Sequence, residues 1–390
     1  MDDISHILNQ LGEDREHYYN AVSPPVIQTS NFCFPTVQAM RENINREFDI
    51  PFYTRGNNPT VAILRKKLAA LEGTEDALVT SSGCAAITAA VMSNLKAGDH
   101  AICIKNPYSW TDTLFNTILA KYGVRVSMTD GVNPMELGSL ICEETKLIYL
   151  ESPNSFTFEL QDLTSVASFA KAKKIITVID NSYSTPLYQQ PLSYGIDIVI
   201  HSASKYLGGH SDLVAGVICG KQEMIKKIFD AEFMTFGGII SPHDAWLLMR
   251  GLRTLPVRMQ KISENAAKVT SFLEQHPMIK KVLYPHLPSH PQYGLAKRQM
   301  KGSGGLFSFL LREESTEKID VFCDSLQRFL LACSWGGYES LVFPASVLYS
   351  SGNNNKKNIP VNLIRMYIGL EDAGLLIADI SKALEKMKNT

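Results

Sequence analysis

Lys205 closes an apolar run and opens a stretch of small residues in the segment HSASKYLGGHSD. An amine is a nucleophile only without its extra proton, and a place at a strand end shielded from water lowers an ammonium pKa. A lysine so placed can form an imine with a carbonyl cofactor, and Ser202 and Ser204 beside it can hydrogen-bond a phosphate. Taken alone, the segment reads more readily as a surface lysine in a serine-rich turn. Its surroundings reverse that balance. Asp180 ends the run IITVID, 25 residues earlier, which places it on a preceding strand. A carboxylate there can pair with a protonated ring nitrogen, although a lone strand-ending Asp is more often a turn former or helix cap.

The segment VTSSGCAAITAA reads as a strand, a tight turn and a helix start. The amides of Gly83 and Cys84 then point from a helix N-terminus, which holds a phosphate through backbone donors and the helix dipole. A turn of small residues leading into a helix is common, so this signal is weak by itself. Cys84 contributes its amide in this reading and is not a nucleophile. Tyr108, in NPYSWTDTLF, follows the next strand and can stack on a planar ring, with a half-buried loop tyrosine as the alternative. Arg365, in LIRMYIGLED, can clamp a substrate carboxylate in bidentate fashion, though most buried arginines serve structural ion pairs. A lysine, an acid opposite a ring nitrogen and a phosphate cradle together point to pyridoxal phosphate, whose ring is an electron sink for a carbanion at Cα.

These residues need a scaffold. The runs DALVTSS, HAICIKN, KLIYLESP, IITVIDN and DIVIHSAS are short, rich in β-branched residues, and alternate with helical stretches such as CAAITAAVMSNLKAG. That alternation predicts an α/β fold with a mostly parallel sheet covered by helices, and ligands bound beyond the carboxyl ends of its strands. VAILRKKLAALEG predicts a helix that stops at Gly73. DAWLLMRGLRTLPVRMQKISENAAKVTSFLEQ predicts a helical link to a second domain, with Pro256 as a kink or boundary. GGLFSFLL reads as a strand, DAGLLIADISKALEKMK as an amphipathic helix, and SSGNNNKKN near residue 353 as a flexible loop. The expected organisation is an N-terminal arm over 1–60, a cofactor-binding domain over 61–255 and a smaller C-terminal α/β domain over 256–390.

With 38 Lys and Arg against 39 Asp and Glu, the chain has no long-range pull toward nucleic acid or an anionic membrane. A small-molecule substrate is expected. The acidic, polar N-terminus has no stretch apolar enough for a signal peptide or a membrane span. Seven scattered cysteines without a close CxxC pair suggest reduced thiols in a cytoplasmic protein and no metal site.

Taken together, the motifs resemble the Cys/Met metabolism family of pyridoxal-phosphate enzymes, whose members carry the fold-type I architecture. The matching segments run in the family's order: YTRGNNPT, SSGCAAITA, ESPNS, VIDNSYSTP, SASKYLGGHSD, RGLRTLPVRM, GSGGLFSF, SWGGYESL and LIRMYIGLED. The resemblance covers nearly the whole chain. It implies that Lys205 is the Schiff-base lysine and acid/base, Asp180 the pyridinium partner and Tyr108 the ring-stacking residue. It also implies a phosphate cup of Gly83, Cys84, Ser202 and Ser204. Tyr53 and Arg55 match arm residues that enter a neighbouring subunit's phosphate site, which implies a homo-oligomer, usually a tetramer, with shared active sites. Arg365 matches the residue holding the substrate α-carboxylate, and Ser334, Trp335 and Ser155 complete the expected substrate wall.

Within the family, SWGGYESL looks like the cystathionine β-lyase version, because γ-specific relatives more often carry Leu at the Trp335 position and a smaller residue at Tyr338. Ser155 points the same way. Trp110 stands where methionine γ-lyases have a characteristic Cys. Gly56 departs from the pattern, since β-lyases and γ-synthases often carry a second Arg there. The expected activity is therefore carbon–sulfur β-elimination, with cystathionine γ-lyase or γ-synthase as the rival. A non-catalytic cofactor-binding module is a third alternative, disfavoured by the intact set of Lys205, Asp180, Tyr108 and Arg365.

Overall fold

A computed structural model of the protein describes residues 3–350 and 359–390. Seven strands make the larger sheet: β1 (Asp76–Thr80), β2 (His100–Ile104), β3 (Arg125–Thr129), β4 (Thr145–Glu151), β5 (Ile176–Asp180), β6 (Ile198–Ser202) and β7 (Gly216–Gly220). Their order is β1-β7-β6-β5-β4-β2-β3. β3, β2, β4, β5 and β6 run parallel, while β7 pairs antiparallel with both β6 and β1. Two reversals restore the direction of β1. Thr80, Ile104, Glu151, Asp180 and Ser202 therefore all close their strands on one edge of the sheet.

The strands are apolar on both faces because helices cover both. Val79, Ile102, Ile148, Ile179, Val199 and Val217 are buried in one layer, and their sequence neighbours Leu78, Ala101, Leu147, Val178, Ile198 and Ile218 in the other. The helix Pro59–Glu72 lies on the first layer and ends as its sequence predicts, at Gly73 in the left-handed conformation (φ 70°). The helix Gly83–Met92 lies on the second. It is shorter than the apolar pattern suggested, because Ser93 Oγ and Asn94 Nδ2 both turn back to the Ala90 carbonyl at 3.1 and 2.8 Å.

A five-stranded sheet follows, formed by β8 (Ile279–Leu283), β9 (Leu306–Leu311), β10 (Leu330–Leu331), β11 (Leu341–Pro344) and β12 (Leu363–Tyr367). The order is β10-β11-β12-β9-β8, antiparallel except for the β10–β11 pair. Helices Leu255–Gln275 and Ala373–Asn389 cover it, burying Ala266, Val269, Leu376 and Ile380 against Phe307 and Phe309. Thr254 separates Leu255–Gln275 from the preceding helix Pro242–Arg253, and Pro256 sits in the first turn, where its missing N–H costs nothing.

Two features were not anticipated from the sequence. β3 and β7 were not among the expected strands. The start of the arm is held by its own chain: the helix Ile4–Asn9 buries Ile7 and Leu8, and Lys67 Nζ donates to the carbonyls of both residues at 3.0 and 3.2 Å while pairing with Glu13 at 3.1 Å. The loop expected near residue 353 lies outside the described residues.

Candidate active site

The shared strand edge brings the chemistry together. A cavity of about 120 Å³ is lined by Gly83, Cys84, Tyr108, Glu151, Ser155, Asp180, Ser202, Lys205 and Trp335, among others. Its floor is the turn between β1 and the helix Gly83–Met92, whose N-cap Ser82 accepts the Ala85 amide at 3.1 Å. Space at Gly83 is tight: a Cβ there would stand 3.0 Å from the Ser202 Cβ, which would have to shift by a few tenths of an ångström.

Asp180 ends β5 with its carboxylate at the cavity. Oδ1 accepts the Ser182 amide at 2.9 Å and the Ser182 hydroxyl at 2.5 Å, and no described residue donates to Oδ2. Burial raises its pKa, opposed by the two Ser182 bonds and the nearby His201 and Lys205. Lys205 lies in the turn after β6. Its Nζ donates to Ser334 Oγ at 2.5 Å and stands 5.8 Å from the centre of the Trp335 ring. Burial holds the amine below the usual lysine range, Arg365 adds to that, and Asp180 partly restores the charge. Gly336 allows this approach, having φ 95° and standing where a Cβ would lie 2.8 Å from the Lys205 Cα. Ser334 also has positive φ, at 79°.

Arg365, on β12, is 8% exposed. Its guanidinium packs over Phe156 at 4.2 Å and Phe343 at 5.2 Å, and Nη1 reaches the Ser155 carbonyl at 3.4 Å. Burial lowers its pKa to about 10, against the pull of Glu151. Tyr108 caps the far side of the cavity, with its hydroxyl 3.6 Å from Cys84 Sγ. Burial and the Cys84 contact raise the phenol pKa. Cys84 thus presents its thiol to the tyrosine as well as its amide to the floor.

Of the predicted residues, Ser334 and Arg365 do not line the cavity themselves but touch its lining residues Lys205 and Ser155, and two further groups lie elsewhere. Ser204 is turned away: its hydroxyl accepts the Ala215 amide at 3.0 Å and does not line the cavity. The sequence reading put it in the phosphate cup. The antiparallel return of β7 occupies it instead. Tyr53, 44% exposed, and Arg55, stacked on it at 5.5 Å, also lie outside the cavity formed by this one chain. Glu151 was missed. It ends β4 directly beside Asp180 in the parallel register and is 5% exposed. The rule that singled out Asp180, a polar residue closing an apolar run, applies to it equally.

An amine of lowered pKa, a half-buried carboxylate with a free oxygen, an aromatic face and a helix N-terminus on one cavity fit pyridoxal phosphate by their chemistry. Fold and site thus define a fold-type I pyridoxal-phosphate protein. The family profile described as Cys/Met metabolism PLP-dependent enzymes matches residues 6–385, and the chain belongs to that family. Similar proteins include an L-methionine gamma-lyase of Pseudomonas deceptionensis, 41% identical over 95% of this chain and 96% of that one. An L-alanine/L-glutamate racemase of Wolbachia pipientis wMel is 36% identical over 98% and 96%. Among solved structures, cystathionine gamma synthase from Xanthomonas oryzae pv. oryzae superposes with a TM-score of 0.93 at 33% identity, covering 100% of both chains. Among the described residues no helix is long and apolar enough to cross a membrane, and no cluster of His, Cys, Asp or Glu is suited to a metal ion.

Proposed function

We propose that the chain is a carbon–sulfur lyase that cleaves the Cβ–S bond of cystathionine, giving homocysteine, pyruvate and ammonia with uptake of one water. The convergence of Lys205 and Asp180 on one cavity carries the reading. When bound, pyridoxal phosphate supplies a ring that takes up the electron pair left at Cα. Lys205 is its attachment point. Asp180 keeps a negative charge opposite the ring nitrogen, Tyr108 offers its aromatic face, and Gly83, Cys84 and Ser202 hold the phosphate. The Arg365 guanidinium, already packed against the Phe156 and Phe343 rings, takes the substrate α-carboxylate, with Ser155 and Trp335 nearby. Once the substrate amine takes its place on the cofactor, the freed Lys205 Nζ, of lowered pKa and steered by the Ser334 hydroxyl, would remove the Cα proton and return a proton to the departing sulfur. Tyr53 and Arg55, exposed and outside this cavity, complete the phosphate site of a second subunit.

Trp335 and Ser155 support the β-reading. The 41% identity to a methionine gamma-lyase supports γ-elimination as the second reading, because the same lysine can also take a Cβ proton. Product analysis from cystathionine decides between them. Pyruvate with homocysteine is expected; 2-oxobutyrate with cysteine, or methanethiol from methionine at a higher rate, overturns the β assignment. Alanine is included because of the racemase relative: D-alanine formed without keto acid from any sulfur substrate would overturn the lyase reading altogether. Lys205→Ala serves as the control, losing about 10²–10⁴-fold in turnover.

A further inference from the structure

Glu151 is a buried carboxylate that the lysine chemistry does not use. Its position is nevertheless central. Oε2 accepts the amide of Tyr108, at the loop after β2, at 2.8 Å. Oε1 accepts the amide of Ser155, in the loop after β4 itself, at 2.9 Å. The carbonyl of that same Ser155 receives Arg365 Nη1 at 3.4 Å. One side chain therefore ties together the aromatic cap of the cavity and the cation that faces a substrate carboxylate.

We propose that Glu151 is a positioning residue that couples the Tyr108 loop to the Ser155–Arg365 wall, so that amino-acid affinity depends on its accepting both loop amides. This rests on the pyridoxal-phosphate lyase reading above. An ionised carboxylate offers two equivalent acceptors to two amide donors, and bonds to a charged acceptor are the stronger kind. A protonated one must place its own hydrogen, which weakens one of the two loops. The groups facing Glu151 are Asp180 on β5, Arg365 on β12, Tyr108 after β2, and Cys103 and Tyr149 on β2 and β4. Burial first, and the Asp180 charge second, push the Glu151 pKa up to about 7. Affinity is then held above neutrality and lost as pH falls through that value.

The test uses the holoenzyme and glycine, which has the amine and carboxylate of a substrate and no leaving group, so binding is read from visible absorbance without turnover. In the parent protein the glycine Kd should rise on the order of tenfold between about pH 8 and pH 6. Glu151→Gln, which has one acceptor and one donor where two acceptors are needed, should bind glycine more weakly than the parent at about pH 8 and change less between the two pH values, keeping only the slope that the proton lost from the glycine ammonium imposes on both proteins. Glu151→Asp should restore the pH dependence with intermediate affinity. A Glu151→Gln holoenzyme that binds glycine like the parent with the same pH profile overturns the proposal. If that variant does not fold, a flat parent profile overturns it on its own. A parent protein that is colourless or blind to glycine sinks the lyase reading instead, which keeps the two failures apart.

Discussion

Replacing Arg365 with lysine keeps the charge and changes almost everything else about the clamp. The guanidinium is 8% exposed and lies 4.2 Å above Phe156 and 5.2 Å from Phe343. A lysine has no planar group to lay against those rings, so the variant forfeits stacking worth about 0.5–2 kcal/mol. It also offers a point charge where a bidentate fork stood, losing one of two charge-assisted bonds to the substrate carboxylate, about 1.5–3 kcal/mol. Together the losses come to about 2–4 kcal/mol, because they overlap, and kcat/KM should fall by roughly 30–1000-fold. Most of the change should appear in KM, since the Lys205 amine is untouched. Burial already draws the arginine down to about 10, and an ammonium in the same place is drawn further. Arg365→Lys should therefore lose activity at alkaline pH where the parent does not. Keto-acid release from cystathionine across a pH series measures both effects. A variant whose KM stays within about threefold of the parent, with an unchanged alkaline limb, would refute the clamp.

Two further outcomes follow from the lysine turn. Burial and Arg365 hold the Lys205 amine below the ordinary range while Asp180 raises it, so in the cofactor-free protein it should react with an aldehyde at lower pH than surface lysines. Asp180→Asn should shift that midpoint further down; an upward shift would contradict the electrostatic assignment. Gly336→Ala forces φ 95° on a residue with a Cβ, 2.7 Å from the Tyr206 amide and 2.8 Å from the Lys205 Cα. It should displace the lysine and abolish the visible cofactor absorbance even where thermal unfolding shows a folded protein.

Lys205 and Asp180 were legible because each closes an apolar run, and a parallel sheet collects such closing residues on one edge. Glu151 obeys the same rule and was equally readable. Ser204 was not. Its hydroxyl is taken by the Ala215 main chain just before β7, and the run GVICG is too short and glycine-bounded to announce a strand that returns antiparallel between β6 and β1. The docking of Ile7 and Leu8 was hidden for another reason: it depends on Lys67, some sixty positions away, donating to their carbonyls. Tyr53 and Arg55 show the converse, since their expected role came from family likeness and one chain alone gives them no place at its own cavity.

The cavity lies where the two sheets meet, and one apolar cluster joins Val199 of the larger sheet to Trp335 and Tyr367 of the smaller layer. Lys205, Asp180 and Gly83 line the cavity from the seven-stranded sheet and Trp335 from the loop between β10 and β11, while Ser334 and Arg365 reach it through their contacts with Lys205 and Ser155. Mutations in the second layer away from Ser334, which touches the Lys205 amine, can reshape which side chain an amino acid is allowed to carry while the proton-handling machinery stays intact. A scaffold split in this way lets selection exchange one specificity for another by small steps, each of which leaves a working catalyst behind.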